Sequence, residues 1–264
     1  MARSLIGGLL ATGYKAAKIT VADPSAACIE SARAMGVNVA TNNAELVAAA
    51  DVVILAVKPQ VMALVLEPLR AELAQHKPLL ISIAAGINCT SLQRWAGKTI
   101  PIVRCMPNTP ALLQEGASAL FATNTVDEPQ KAMAESVLNA VGLVVWVGNE
   151  DQLDAVTAVS GSGPAYFFLL MELIQQAGER LGLDAECARK LTIQTALGAA
   201  KMAQQSDQNA AQLRAQVTSP NGTTQAAIES FIEQNIAATV NTALDAAHQR
   251  SISLAKEMDA DYKP

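Results

Sequence analysis

Asp51-Val52-Val53-Ile54-Leu55-Ala56-Val57, closed by Lys58-Pro59, is the stretch on which the fold turns. It has no polar position between Asp51 and Lys58, so it reads as a wholly buried strand, apolar on both faces as the strands of a parallel sheet must be. Lys58-Pro59 ends the strand and opens a helix. Upstream, residues 19–22 read as a strand and 24–35 as a helix capped by Asp23 and stopped by Gly36, while 37–40 read as a short strand. Asn42 and Glu45 have the spacing of a capping box for the next helix. Downstream, LLISIA (79–84) and IPIVRC (100–105) continue the alternation, and ASALFAT (117–123) and GLVVWV (142–147) extend it at the far edge. Strand and helix in alternation imply a doubly wound α/β sheet.

After residue 150 the two-residue alternation stops. Ala-rich helical patterns take over at 163–181, 184–205, 223–234 and 236–258, so an α/β domain over 1–150 precedes an all-α domain over 151–264. Small residues cluster on these helices, among them Gly198, Ala199, Ala200 and Ala203, which permits close helix contact. So thin a set of helices is expected to bury its apolar faces against a second copy of the chain, the alternative being a monomeric bundle.

The composition fits this reading. Of 264 residues 51% are hydrophobic, 16% charged and 3% aromatic, with a net charge of −5. Such a chain is not disordered, and it offers neither the basic face nor the stacking side chains of a nucleic-acid binder. Cys28, Cys89, Cys105 and Cys187 are scattered without a C-x-x-C spacing, so reduced core thiols are expected rather than disulfides or a metal site. His76 and His248 both read as solvated, which leaves no basis for a Ser-His-Asp triad or a His-rich metal centre. GPAYFFLLM (163–171) ends at Glu172, short of a membrane span. A soluble, cytoplasmic protein is expected.

The front of the chain is unusual for a dinucleotide-binding sheet. Arg3, Leu5, Ile6, Leu9 and Leu10 keep helical spacing from the start, and no strand with G-x-G-x-x-G precedes them. Gly7-Gly8 lies inside that helix, where tight packing on the sheet is the expected role rather than phosphate binding.

Four segments, in order, carry a resemblance: AVKP (56–59), RCMPNTP (104–110), SGSGPAY (160–166) and VTSPNGTT (217–224). Together they resemble the pyrroline-5-carboxylate reductases, the last enzymes of proline biosynthesis. The resemblance implies a Rossmann-like NAD(P)-binding domain whose first strand and glycine-rich turn precede Met1, followed by a helical dimerisation and substrate-binding domain. It also implies reduction of L-1-pyrroline-5-carboxylate to L-proline, with NADPH or NADH as hydride donor. A homodimer or a larger homo-oligomer, up to a decamer, goes with it. A catalytically impaired dimerising relative and a reductase of the β-hydroxyacid dehydrogenase type are the alternatives.

By matching position, the resemblance implies cofactor contacts at Ala22, Asp23, Asn43, Ala56, Val57, Lys58, Pro59, Ala84, Ala85, Gly86, Met106, Pro107 and Asn108. It implies substrate contacts at Ser160, Gly161, Ser162 and Gly163 and at Ser219, Gly222, Thr223 and Thr224. Thr224 carries the catalytic role of hydrogen-bonding the ring nitrogen, and the loop backbone holds the carboxylate. Taken as residues alone, 84–86 is also an ordinary strand-ending turn, 160–163 a hinge and helix start, and 219–224 a helix cap. Many relatives have Gly where Asn221 stands; Asn tolerates the left-handed conformation such a turn needs. Asp23, at the end of its strand, suits ribose hydroxyls and argues for NADH, but it serves equally as a helix cap. No metal is expected, and no residue reads as the proton donor.

Overall fold

The structure, a computed structural model, describes residues 1–260. It forms two compact units: Met1–Ser162 together with the chain from Ala247 onward, and Gly163–Ala246. The division by contacts therefore falls twelve residues beyond the expected boundary at 150, and the last helix belongs to both units.

The first unit opens with α1 (Ala2–Ala11), then β1 (Thr20–Val21), α2 (Ala26–Ala34), β2 (Asn38–Val39), α3 (Asn43–Ala49) and β3 (Val52–Leu55). α4 (Met62–Leu66), α5 (Arg70–His76), β4 (Leu79–Ser82), α6 (Cys89–Ala96), β5 (Ile102–Met106), β6 (Gly116–Ala122), α7 (Glu128–Asn139), β7 (Gly142–Trp146) and α8 (Gln152–Val156) follow. The strands make two sheets, a parallel pair β1-β2 and a five-stranded sheet ordered β3-β4-β5-β6-β7. Within the larger sheet β6 runs antiparallel to β5, and the other pairs are parallel.

β4 is the most enclosed strand, with all four residues buried. β3 was expected to be buried on both faces, but it alternates: Val53 and Leu55 are buried whereas Val52 and Ile54 are half-buried. β3 is an end strand paired only with β4, and its two faces are unequally covered: Val53 and Leu55 enter one core layer, while Val52 and Ile54 lie at the margin of the other. One core layer gathers Met62, Leu66, Leu73, Leu92 and Trp95 on one face of the sheet. A second gathers Leu5, Val103, Leu120, Leu138 and Val141 on the other.

Gly8 shows how closely α1 is seated. A Cβ there would lie 2.4 Å from the Ala140 carbonyl oxygen and 2.6 Å from Val141 Cγ1. Its role is helix packing, as its sequence position suggests. At α2, Asp23 is not the residue at the helix start: Ser25 occupies the N-cap position, and Asp23 Oδ1 accepts from its backbone N–H at 2.8 Å. At α3, Asn42 caps as expected by accepting from the Glu45 N–H, but the Glu45 carboxylate turns to the backbone and hydroxyl of Thr41 instead of closing the box. Those two donors favour the charged form and hold the Glu45 carboxyl below its usual range.

The second unit comprises α9 (Gly163–Arg180), α10 (Ala185–Gln205), α11 (Ala210–Gln216), α12 (Thr223–Glu233) and the first part of α13 (Ile236–Ala260). α11 is an addition to the sequence reading; Asn209 and Gln212 close a reciprocal capping box at its start. Little of this unit is enclosed within one chain. Ala188 and Thr192 of α10 are buried, while Phe167, Phe168, Leu169, Leu173, Leu191 and Ile232 are all more than half exposed. The continuous helical run Gln152–Arg180 spans 29 residues, long and apolar enough to cross a membrane by length and composition alone, with 11% of its apolar window buried. The uncharged run does end at Glu172, as read from the sequence; the longer span arises because the helical path begins at Gln152, before Gly163, and runs on past Glu172 to Arg180.

Candidate active site

The cofactor segments fall where parallel α/β sheets place their ligands, beyond the carboxyl ends of the strands. Ala22 and Asp23 follow β1, residues 56–59 follow β3, residues 84–86 follow β4 and residues 107–108 follow β5. Ala56 and Ala85 are exposed, and neither carries a side chain large enough to obstruct a ligand. Gly86 has a φ of +76°, a conformation favouring glycine, and the backbone of α13 at Ala255 passes 3.8 Å from where a Cβ would stand. Asn43 is exposed at the first position of α3. Ala56, Ala85 and Asn43 leave exposed surface that fits an extended dinucleotide laid across the strand ends, whereas Ala84, expected as a further contact, is buried in the core cluster.

Asn108 behaves differently from the sequence expectation. Its side chain is buried and fully engaged: Nδ2 donates to the Ser160 carbonyl at 3.0 Å and Oδ1 accepts from the Ala117 N–H at 2.9 Å. Its side chain is taken up in clamping the turn after β5 to residue 160 instead of facing a cofactor. Met106 adds to the clamp, since its Cε would lie 2.5 Å from a Cβ on Gly161. Met106, Asn108, Ser160 and Gly161 are thus brought together. Between α8 and α9 the backbone takes a π-helical turn over Thr157–Gly161, with Ser162 N donating to Thr157 O at 2.8 Å. Such turns recur at functional sites.

Arg104 and Glu150 were missed by sequence reasoning. Arg104 Nη1 on β5 donates to Glu150 Oε1, and the same oxygen accepts from the Cys89 N–H at 2.6 Å. The pair is largely enclosed, with side-chain exposures of 14% and 23%. One carboxylate therefore ties β5, the start of α6 and the approach to α8. The separation of 46 residues leaves no local signal for it. Burial, followed by the neighbouring Glu150 charge, pushes the Cys89 thiol far up. Burial pushes Cys105 up to about 12.

In the second unit, the loop 219–224 leads into α12. Asn221 has a φ of +60°, the left-handed conformation its position calls for, and its N–H donates to Gln225 Oε1 at 2.7 Å. Gly222 N donates to Ser219 O at 3.0 Å, and Gly222 is the N-cap residue. No side chain caps α12, and no acidic residue stands in its first turn, so the N–H groups at Thr223 and Thr224 face the start of an uncapped 11-residue helix. That arrangement suits a carboxylate. Gln216 donates to Gln208 Oε1 at 2.6 Å. A hollow of about 490 Å³ beside Phe121, Glu135 and Trp146 contains none of the expected site residues. Among the described residues no group of three His, Cys, Asp or Glu side chains is placed to hold a metal ion.

A largely parallel sheet with small, exposed residues beyond its strand ends, followed by an incompletely buried set of helices, is the architecture of nucleotide-dependent α/β oxidoreductases with a helical association domain. Known proteins narrow it. The pyrroline-5-carboxylate reductase dimerisation family matches residues 150–254, and the coenzyme F420-dependent NADP oxidoreductase family matches residues 1–86. A pyrroline-5-carboxylate reductase of Pseudomonas aeruginosa is 54% identical over 98% of this chain and 94% of its own length. The structure of such a reductase from Coxiella burnetii superposes with a TM-score of 0.93 at 46% identity, covering 96% of this chain and 94% of that one. The Plasmodium falciparum pyrroline carboxylate reductase crystallised with NADP bound superposes with a TM-score of 0.83 at 31% identity, covering 96% and 94%. The chain belongs to the pyrroline-5-carboxylate reductase family.

Proposed function

We infer that the protein reduces L-1-pyrroline-5-carboxylate to L-proline with NAD(P)H and works as a self-associated cytoplasmic enzyme. The observation that carries this reading is likeness over nearly the whole chain to reductases of that name. The fit of the strand ends to a dinucleotide supports it. When bound, the reduced dinucleotide supplies a hydride to the C=N carbon.

Residues 56–59 and 84–86, with Ala22, Asp23, Asn43, Met106 and Pro107, hold the dinucleotide along the strand ends. Asn108 contributes by fixing the turn rather than by direct contact. Residues 160–163 bring backbone close to the substrate. Ser219, Gly222 and Thr223 hold its carboxylate through the uncapped start of α12, and the Thr224 hydroxyl hydrogen-bonds the ring nitrogen. Rate enhancement comes mainly from holding the two reactants in register. The exposed apolar faces of α9, α10 and α12 are covered by another copy, as a homodimer or a larger ring.

The test is direct. Purified protein given pyrroline-5-carboxylate with NADPH or NADH oxidises the dinucleotide and forms one proline per turnover. Absence of substrate-dependent oxidation with both dinucleotides favours the impaired-relative alternative instead.

A further inference from the structure

Glu150 joins two donors that lie far from it in sequence. Its Oε1 accepts from Arg104 Nη1 on β5 and, at 2.6 Å, from the backbone N–H of Cys89, the first residue of α6. Asn88 caps that helix by accepting from the Ser91 N–H at 2.7 Å, yet no acidic residue stands in its first turn. Glu150 supplies the carboxylate that a helix start favours. At side-chain exposures of 14% and 23%, Arg104 and Glu150 are largely withdrawn from water. Such a pair is a weak source of stability, because desolvating both charges offsets their attraction. What it fixes is geometry.

That geometry concerns two segments assigned above to the dinucleotide. β4 and β5 run parallel as neighbours, with Ser82 opposite Arg104. Two residues further on, at the same end of the sheet, come Ala84 and Met106. Residues 84–86 lead from β4 toward Cys89, which follows Gly86 by three positions, while Met106 and Pro107 follow Arg104 by two and three. One carboxylate thus holds β5 just before one segment and α6 just after the other. Gly86, with a φ of +76°, is a point at which the intervening chain can turn if Cys89 is released. The backbone around Glu150 has supports of its own: Gln152 Oε1 accepts from the Gly148 and Asn149 N–H groups at 2.8 and 3.2 Å, and the Gln152 N–H donates to Asn149 Oδ1 at 3.1 Å. Residue 160 is held separately, by Asn108.

We propose that Arg104 and Glu150 are positioning residues for the dinucleotide: through Cys89 they fix the turn 84–86 against the end of β5 and so set the spacing of the two segments that hold the cofactor. The assignment rests on the reductase reading above. The pair touches neither reactant and takes no part in hydride transfer. Without it the turn leaves its binding geometry for part of the time, and a turn in that geometry only about one tenth of the time binds about tenfold more weakly. The segment 160–163 keeps its own anchors, so the loss falls on dinucleotide affinity and not on the substrate or the chemical step.

The experiment compares the wild-type protein with Glu150→Ala, with Glu150→Gln, and with the paired change of Arg104→Met and Glu150→Leu. The paired change removes both charges together, leaves no unpaired one, and should keep the fold. Binding of NADPH or NADH, followed by the fluorescence of the reduced dinucleotide without turnover, should weaken about tenfold in Glu150→Ala and in the paired variant. The KM for the dinucleotide should rise alike, while kcat at saturating dinucleotide and the KM for pyrroline-5-carboxylate stay within about twofold of wild type. Glu150→Gln, whose amide oxygen can still accept from both donors, should recover most of the affinity. Unchanged dinucleotide binding in Glu150→Ala, a fall in kcat with affinity intact, or Glu150→Gln no better than Glu150→Ala overturns the assignment. Should Glu150→Ala not fold, the paired variant decides, and failure of both to fold makes the pair a structural staple and also overturns it. Wild-type protein that oxidises neither dinucleotide with pyrroline-5-carboxylate sinks the reductase reading itself, which is a separate outcome.

Discussion

Gly8 and the four cysteines carry physical consequences that can be measured singly. In an exposed helix, replacing glycine by alanine is stabilising by about 1 kcal/mol. At Gly8 the new methyl would collide with backbone at Ala140, which cannot swing aside as a flexible side chain can. Gly8→Ala is therefore expected to destabilise by about 1–3 kcal/mol, read as a lower urea midpoint. Cys89 and Cys105 are buried with raised thiol pKa values, whereas Cys28 and Cys187 are partly exposed. A thiol reagent at pH 8 should modify neither Cys89 nor Cys105 in the native protein and should reach both once it is unfolded. Because burial holds these thiols protonated in the folded state, their contribution to stability is full below the ordinary value of 9.0 and is lost as pH rises through about 12 at Cys105. Alkaline denaturation curves check the sign; stability rising above pH 9 would contradict it. Gly8 was legible from its place on an amphipathic helix. The engagement of Asn108 was not, because its partners Ser160 and Ala117 are fixed by tertiary folding and not by neighbours in sequence.

At the scale of elements, apolar runs revealed the strands and apolar periodicity the helices, and most bounds agree to within a residue or two. The antiparallel direction of β6 left no mark in the sequence, because burial pattern is blind to strand direction. α11 was overlooked because seven residues give too little periodicity; only its capping box marks it. The loop 219–224 was legible in both conformation and placement, since Asn is among the few non-glycine residues that accept a positive φ. α9 offers an element-scale prediction. Phe168 is 64% exposed in a single chain, on a helix within the part of the chain that matches the dimerisation family. Phe168→Glu should convert the assembly to a lower oligomer or monomer in sedimentation, because a buried unpaired charge is costly at an apolar interface. A variant that sediments as wild type would show that this face is not covered in the assembly.

For the whole molecule, low aromatic and charge content goes with the second unit, whose Ala-rich helices expose apolar side chains within a single chain, the surface proposed above to be covered by another copy. The first unit carries small, exposed residues beyond its strand ends, and the second carries the uncapped start of α12. The alternation of segments disclosed the architecture, but the substrate came from four motifs whose identity rests on resemblance, since small residues at strand ends are common to many reductases. The decisive measurement follows the transferred atom. Protein incubated with pyrroline-5-carboxylate and NAD(P)H deuterated at the transferable position of the nicotinamide should yield L-proline one mass unit heavier, with the deuterium on the carbon of the former C=N bond. Proline formed without deuterium, or dinucleotide oxidation without proline, would contradict the account.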